Sequence, residues 1–204
     1  KINSRYSDVE LASFPCSYST AENMLYRSNP QQGQTVLITG ASGGVGSAAV
    51  QLAKARGANV IAVTSESKSQ KIKELGADKI VLRDDDLVQS LGKNSVDVVV
   101  DLVAGKQWPT LLEVLKPKGR YAVSGAIGGA LVELDVRTLY LKDLTFFGCT
   151  VIEPEVFKSL IDFIEQEKIK PIVAQTFPLN EIVTSQQVFA QKQHVGKIVL
   201  TIPH

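Results

Sequence analysis

Short runs of β-branched and aliphatic residues alternate along this chain with stretches in which apolar positions recur every three to four residues. The runs at 35–39, 60–64, 79–82, 96–101, 120–123 and 144–148 predict strands, and the stretches near 44–56, 67–75 and 106–115 predict helices. Most of the strands are continuously apolar, as expected of a parallel sheet covered on both faces. Strands separated by helices of about 10–15 residues form βαβ units, and the right-handed crossover winds helices onto both sides. The predicted fold is α/β: a Rossmann-type, doubly wound parallel sheet of about six strands.

The helix after the first strand illustrates the pattern. Val45, Ala49, Leu52 and Ala53 make one apolar stripe, Gln51, Lys54 and Arg56 fall outside it, and Gly57 ends it. The flanks read differently. Residues 1–33 form a lead-in with a helical pattern at 20–27, residues 34–150 are the nucleotide-binding core, and 151–204 supply two further helix–strand pairs. These last elements, near 155–167, 172–176, 180–192 and 197–202, either complete the sheet or pack beside it.

A length of 204 residues suits one sizeable α/β domain. The 22 basic and 21 acidic side chains leave a formal charge of +1, without the basic footprint that nucleic acid or an anionic membrane requires. No apolar window is long enough to cross a bilayer. A small-molecule substrate is expected, with neither nucleic acid nor membrane as partner. Two cysteines cannot build a disulfide framework, so a reducing cytoplasm is the expected location. The chain opens at Lys1 without an initiator Met and reads as the middle of something longer.

The segment TVLITG-ASGGVG-SAAVQLAKARG joins a strand to a helix through Gly40, Gly43, Gly44 and Gly46. A pyrophosphate needs backbone N–H groups at a helix N-terminus and no Cβ in its path. Gly43 permits that approach, and Gly46 permits tight helix–strand packing. Ala41, Ser42 and Val45 complete the loop, Ala41 standing where the fingerprint has its first glycine. At the end of the second strand an NAD site usually carries Asp or Glu, about 20 residues beyond the glycines. Here Thr64 and Ser65 stand there, followed by Glu66, Ser67 and Lys68. A carboxylate about 4 Å from a ribose 2′-phosphate would cost roughly 4 kcal/mol at an effective dielectric of about 20. The neutral Thr64, a donor at Ser65 and the charge of Lys68 favour NADP(H). Glu66, if it turns inward, favours NAD, and Lys71 reads equally as a solvated position.

TGASGGVG also fits the loop of short-chain dehydrogenases, but none of the five tyrosines (6, 18, 26, 121 and 140) has Lys four residues later, which excludes that family. Together, AENMLYRSNPQQGQTVLITGASGGVGSAAVQLAKARGANVIAV, KELGAD, DVVVDLV, LLEVLKPKGRYAVSGA and VGKIVL resemble the medium-chain dehydrogenases/reductases. The likeness points to their zinc-type alcohol dehydrogenase and quinone oxidoreductase branches.

The resemblance implies the cofactor-binding part of an enzyme whose GroES-like catalytic domain precedes it. It implies hydride transfer to or from a carbonyl, alcohol or quinone, with this part inactive alone. PCSYSTAE resembles the segment in which zinc-containing members carry a zinc-ligating Cys and then a Thr beside the nicotinamide. Cys16 would be that ligand, with the others outside this chain and no stable zinc site within it, and Thr20 the nicotinamide contact. In zinc-free members Cys16 would be an inert thiol. Leu102, Val103, Ser124, Gly125 and Ala126 resemble residues lining the cofactor. The Phe146–Phe147 backbone resembles the segment binding the carboxamide, and Lys197 a basic residue on the pyrophosphate, or else a solvated lysine. Cys149 reads as core, His194 as a surface histidine and His204 as a disordered terminal residue. A homodimer through an edge strand at 144–150 is expected, and a non-catalytic NADP(H)-binding or assembly module is the alternative function.

Overall fold

The computed structural model describes residues 2–202, so His204 lies outside the described residues. The chain runs α1 (Asp8–Ala12), α2 (Ser17–Ser28), β1 (Thr35–Ile38), α3 (Gly44–Ala55), β2 (Asn59–Thr64), α4 (Glu66–Glu74), β3 (Lys79–Leu82), α5 (Leu87–Leu91) and β4 (Val96–Asp101). It continues through α6 (Trp108–Val114), β5 (Leu115–Val123), α7 (Val136–Leu141), β6 (Thr145–Gly148), α8 (Pro154–Glu165), β7 (Val173–Pro178), α9 (Ile182–Ala190) and β8 (Lys197–Thr201). One six-stranded sheet has the order β3-β2-β1-β4-β5-β6, every neighbouring pair parallel. The expected Rossmann-type architecture is present. The last two strands do not extend that sheet: β7 and β8 form a separate parallel pair beside it.

Alternate residues of the central strands feed different cores, which is why those strands read as unbroken apolar runs. Val36, Ile38, Val98 and Val100 join α2, α3 and α8 on one face. Leu37 and Val99 join Trp108, Leu111 and Tyr121 on the other. The lead-in is part of this packing: Met24 and Leu25 of α2 are fully buried. Tyr18 donates to the Lys170 carbonyl (2.6 Å), and Gln51 of α3 brackets the same residue, donating to its carbonyl (3.1 Å) and accepting from its amide (2.8 Å). The buried Glu22 carboxylate pairs with Arg56 and accepts from Ser159 of α8 (2.8 Å), tying three helices together.

Three short helices escaped the periodicity because five or six residues complete too few turns to show an apolar stripe. Their caps are nonetheless written in the sequence. Ser7 and Glu10 form a capping box on α1, while Asp86 and Asp135 accept amides at the starts of α5 and α7. Strand β5 begins five residues earlier than the apolar run suggested, directly from α6, and its pairing with β4 is irregular between Val96 and Val98. Among the described residues no helix is long and apolar enough to cross a membrane.

Candidate nucleotide-binding site

Strand order reverses between β1 and β4, so their C-terminal ends diverge and leave a crevice. A cavity of about 780 Å³ opens there, floored by the turn after β1. In that turn Gly40 adopts φ +58°, a conformation that disfavours side chains, and the Gly43 amide donates back to the Gly40 carbonyl (3.0 Å). A Cβ on Gly46 would lie 2.2 Å from the Gly40 oxygen, so only glycine lets α3 close onto the strand. One on Gly44 would lie 2.6 Å from Ser17 Oγ and 3.2 Å from Lys197 Cδ. The start of α3 is thus roofed by the N-terminus of α2 and by the first residue of β8. No side chain caps α3 and its first turn carries no acid. Its amides and the positive end of its dipole face a cavity with space for an anion.

The opposite wall is the turn after β4. Asp101, with no exposed surface, accepts from Thr39 Oγ1 (2.5 Å), from the amides of Val103 (2.9 Å) and Ala104 (3.1 Å), and from the Tyr121 hydroxyl. Thr39 Oγ1 also accepts from the Leu102 amide (2.9 Å). Burial, and then the adjacent Asp101 carboxylate, push the Tyr121 phenol far above its ordinary range and keep it a donor. With its amides turned inward, the turn presents Leu102 and Val103 to the cavity. The loop after β5 seals this wall: the Gly128 amide donates to Val103 O (2.7 Å), and a Cβ on Gly125 would lie 2.7 Å from Leu102 O.

At its end beside β2 the cavity is lined by Thr64, Ser65, Lys68, Arg83, Lys192 and His194. The Thr64 hydroxyl is buried without a hydrogen-bond partner. Lys68 donates to the Lys192 carbonyl (2.6 Å). Its ammonium is held below the usual lysine range, first by partial burial and then by repulsion from Arg83 and Lys192. Asp84 is the one acid among the described lining residues, and it is mostly exposed, 3.7 Å from Arg83.

Of the residues singled out in the sequence, Ser42, Gly43, Gly44, Val45, Gly46, Thr64, Ser65, Lys68, Leu102, Val103, Ser124, Gly125 and Lys197 line this cavity. Five others do not. Ala41 is buried, donating to the Val63 carbonyl (3.1 Å), while Ala126 is exposed and Thr20 sits further along α2. Phe146 and Phe147 lie on β6, two strands away from β4, and neither lines the cavity. Phe146 packs on Trp108 and Tyr121, and Phe147 lies beneath Arg27. Glu66 is exposed on the first turn of α4 and takes no part in the lining. Sequence reasoning missed Ser17, Arg83, Phe189 and Lys192, and took His194 for a surface residue.

Cys16 is exposed and immediately precedes α2. Its φ of 65° and ψ of −64°, with the Ser17 amide donating to the Pro15 carbonyl (2.8 Å), make a γ-turn of the rare positive-φ form. Such a conformation costs of order 1–3 kcal/mol. Among the described residues no group of three His, Cys, Asp or Glu stands close enough to hold a metal ion. The described residues therefore do not by themselves build a zinc centre around Cys16. Cys149 is a buried thiol, pushed up by burial.

A family model described as zinc-binding dehydrogenase matches residues 44–166. The chain belongs to that family. It is thereby a medium-chain dehydrogenase/reductase, and its relatives are oxidoreductases. It is 32% identical over 202 residues to the acryloyl-coenzyme A reductase of Metallosphaera sedula, covering 98% of this chain and 60% of that protein. A solved Sinorhizobium meliloti 1021 protein, carrying a provisional alcohol dehydrogenase name, is 42% identical with a TM-score of 0.93, over 99% of this chain and 57% of that one. The 2-octenoyl-CoA carboxylase reductase CinF, solved with NADP and 2-octenoyl-CoA, is 26% identical with a TM-score of 0.87, over 97% and 50%. The chain thus spans about 60% or less of the length of these relatives.

In this member of the family the Gly40–Gly46 approach makes a direct prediction. Gly46→Ala forces a methyl group into backbone and should lower the unfolding free energy by about 1–3 kcal/mol while weakening dinucleotide binding. Gly148→Ala, whose Cβ would meet nothing within 4 Å, is the neutral control. Equal urea midpoints for the two variants would refute the close packing.

Proposed function

We propose that this chain is the nucleotide-binding domain of an NADP(H)-dependent oxidoreductase that passes hydride to or from a carbonyl, an alcohol or a conjugated quinone-like substrate. The observation that carries NADP(H) over NAD(H) is the end of β2. There a neutral, unpartnered Thr64 hydroxyl stands among Lys68, Arg83 and Lys192. Three cations that repel one another, with only the mostly exposed Asp84 beside Arg83 to balance them, suit a dianionic 2′-phosphate, which would relieve their repulsion. Lys68 gives one of its three donors to the Lys192 carbonyl and keeps two for such a ligand.

The rest of the cavity suits a dinucleotide. Glycines 43, 44 and 46 leave room for a pyrophosphate against the first-turn amides of α3, with Lys197 above it. Leu102 and Val103, fixed by Asp101, offer an apolar wall that keeps water off one side of the ligand. The bound nicotinamide would supply the hydride chemistry itself. What this chain contributes is binding, orientation and exclusion of solvent. The relatives named for acryloyl-CoA and 2-octenoyl-CoA bring conjugated acyl thioesters into the substrate class, since hydride addition beside a carbonyl makes the same electronic demand as reduction of a quinone. Since the chain spans about 60% of such a relative, we expect it alone to bind cofactor with little or no turnover. The two free thiols suit a reducing cytoplasm.

A second copy of the chain is the partner this reading includes. Strand β6 closes one side of the sheet with its outer backbone edge unpaired among the described residues. Tyr140, Leu141 and Val151 beside it are more than half exposed. A two-fold axis through such an edge pairs β6 with its own copy and continues the sheet.

Two measurements check these statements. Calorimetric titration should give tighter binding of NADPH than of NADH, with Lys68→Ala weakening NADPH by about tenfold or more and leaving NADH nearly unchanged. Preference for NADH would reverse the assignment, and steady-state reduction of a quinone or aldehyde by this chain would overturn the expected lack of turnover. Sedimentation equilibrium should show a dimer that Val151→Asp weakens. A monomer at all concentrations would remove the edge pairing.

A further inference from the structure

His194 lies in the loop between α9 and β8 and lines two spaces at once. One is the ribose end of the nucleotide cavity. The other is an adjoining hollow of about 420 Å³ that also reaches Lys68, Lys71 and Gln175. The ring packs at 5.4 Å against Phe189, whose other neighbour is the Lys192 ammonium, 3.8 Å from its ring centre. His194 Nδ1 is buried with no hydrogen-bond partner. Gln191, Lys192 and Gln193 before it are exposed, whereas Val195 after it is buried in the core, so His194 stands where the loop turns inward.

We propose that His194 is a proton-dependent specificity residue for the 2′-phosphate: when charged it joins Lys68, Arg83 and Lys192 as a fourth positive group at that position. The proposal rests on the NADP(H) reading above and adds that the preference for the phosphorylated cofactor strengthens as pH falls.

The groups around the ring set the sign. Lys68 and Lys71 face it from α4, Lys192 from its own loop, and Arg83, Asp84 and Lys197 stand around the shared cavity. Without ligand, partial burial and then repulsion from Lys68 and Lys192 hold the imidazolium below the ordinary histidine range, so the ring is neutral at neutral pH. A dianion between the two lysines reverses the local field and favours the protonated ring. The pKa is then higher in the bound than in the free state, and binding takes up a proton in the window between the two values. Affinity for NADPH therefore rises as pH falls through that window, by at most about tenfold per pH unit for one linked proton. The 2′-phosphate's own second ionisation, near about pH 6, opposes this but acts equally on every variant.

The test compares the 204-residue chain with His194→Gln, titrating NADPH and NADH from about pH 8.5 down to about pH 6. The ratio of the NADPH dissociation constants, variant over wild type, should start near unity and climb by roughly three- to tenfold, while the NADH ratio stays flat. In parallel, NMR of the histidine rings should show His194 titrating at higher pH with 2′,5′-ADP but not with 5′-AMP. Only two histidines are present, so His204→Gln assigns the signals. This second readout uses wild-type His194 and stands even if His194→Gln folds poorly. A flat NADPH ratio, or a His194 titration unmoved by 2′,5′-ADP, with NADPH still preferred over NADH, overturns the role of His194 and leaves the cofactor reading standing. No preference for NADPH at any pH removes both.

Discussion

One buried carboxylate governs the geometry of the nucleotide crevice. Asp101 ends β4 and collects donors from β1 through Thr39, from β5 through Tyr121 and from two amides of its own turn. A carboxylate taken wholly out of water is tolerated only with its oxygens satisfied, because the alternative costs several kcal/mol. Satisfying Asp101 leaves the turn one path, with its amides inward and Leu102 and Val103 outward. That path brings Val103 against Gly40, where a Cβ would come within 3.2 Å of its side chain, so the wall and floor of the crevice fix each other.

How much of this could be read from the residues depended on distance along the chain. The phosphate turn was legible because its glycines lie within seven residues and each answers a local steric demand. The sheet was legible because residues buried on both faces leave unbroken apolar runs. The ribose end was only half legible. Thr64, Ser65 and Lys68 follow β2 directly, whereas Arg83 arrives from the next strand and Lys192 and His194 from a loop more than a hundred residues later. No pattern along the chain announces that β7 and β8 form their own pair and bring that loop across.

One point left open in the sequence had a geometric answer. Glu66 and Lys68 sit on the same helix about 200° apart around its axis, so they cannot both face the cavity. Choosing Lys68 for the inside already sends Glu66 to solvent. Phe146 and Phe147 were given a cofactor role by resemblance, as the segment whose backbone binds the carboxamide. In the structure Phe146 packs on Trp108 and Tyr121 and Phe147 lies beneath Arg27, and neither side chain lines the cavity.

The crevice therefore divides its work between two kinds of group. The pyrophosphate end is built from backbone: missing Cβ atoms, uncapped amides and a turn held by a buried acid, none of which can change without disturbing the sheet. The ribose end is built from the tips of Lys68, Arg83, Lys192 and His194, carried on a short helix and on loops. Those side chains contribute little to the hydrophobic cores, since none of them belongs to either. Charge can be added or removed there at small expense in stability, while the same change near Gly46 or Asp101 would be felt throughout the fold. On the proposed reading, selectivity between two cofactors that differ by one phosphate would thus be free to vary on a scaffold whose grip on their shared diphosphate would not be.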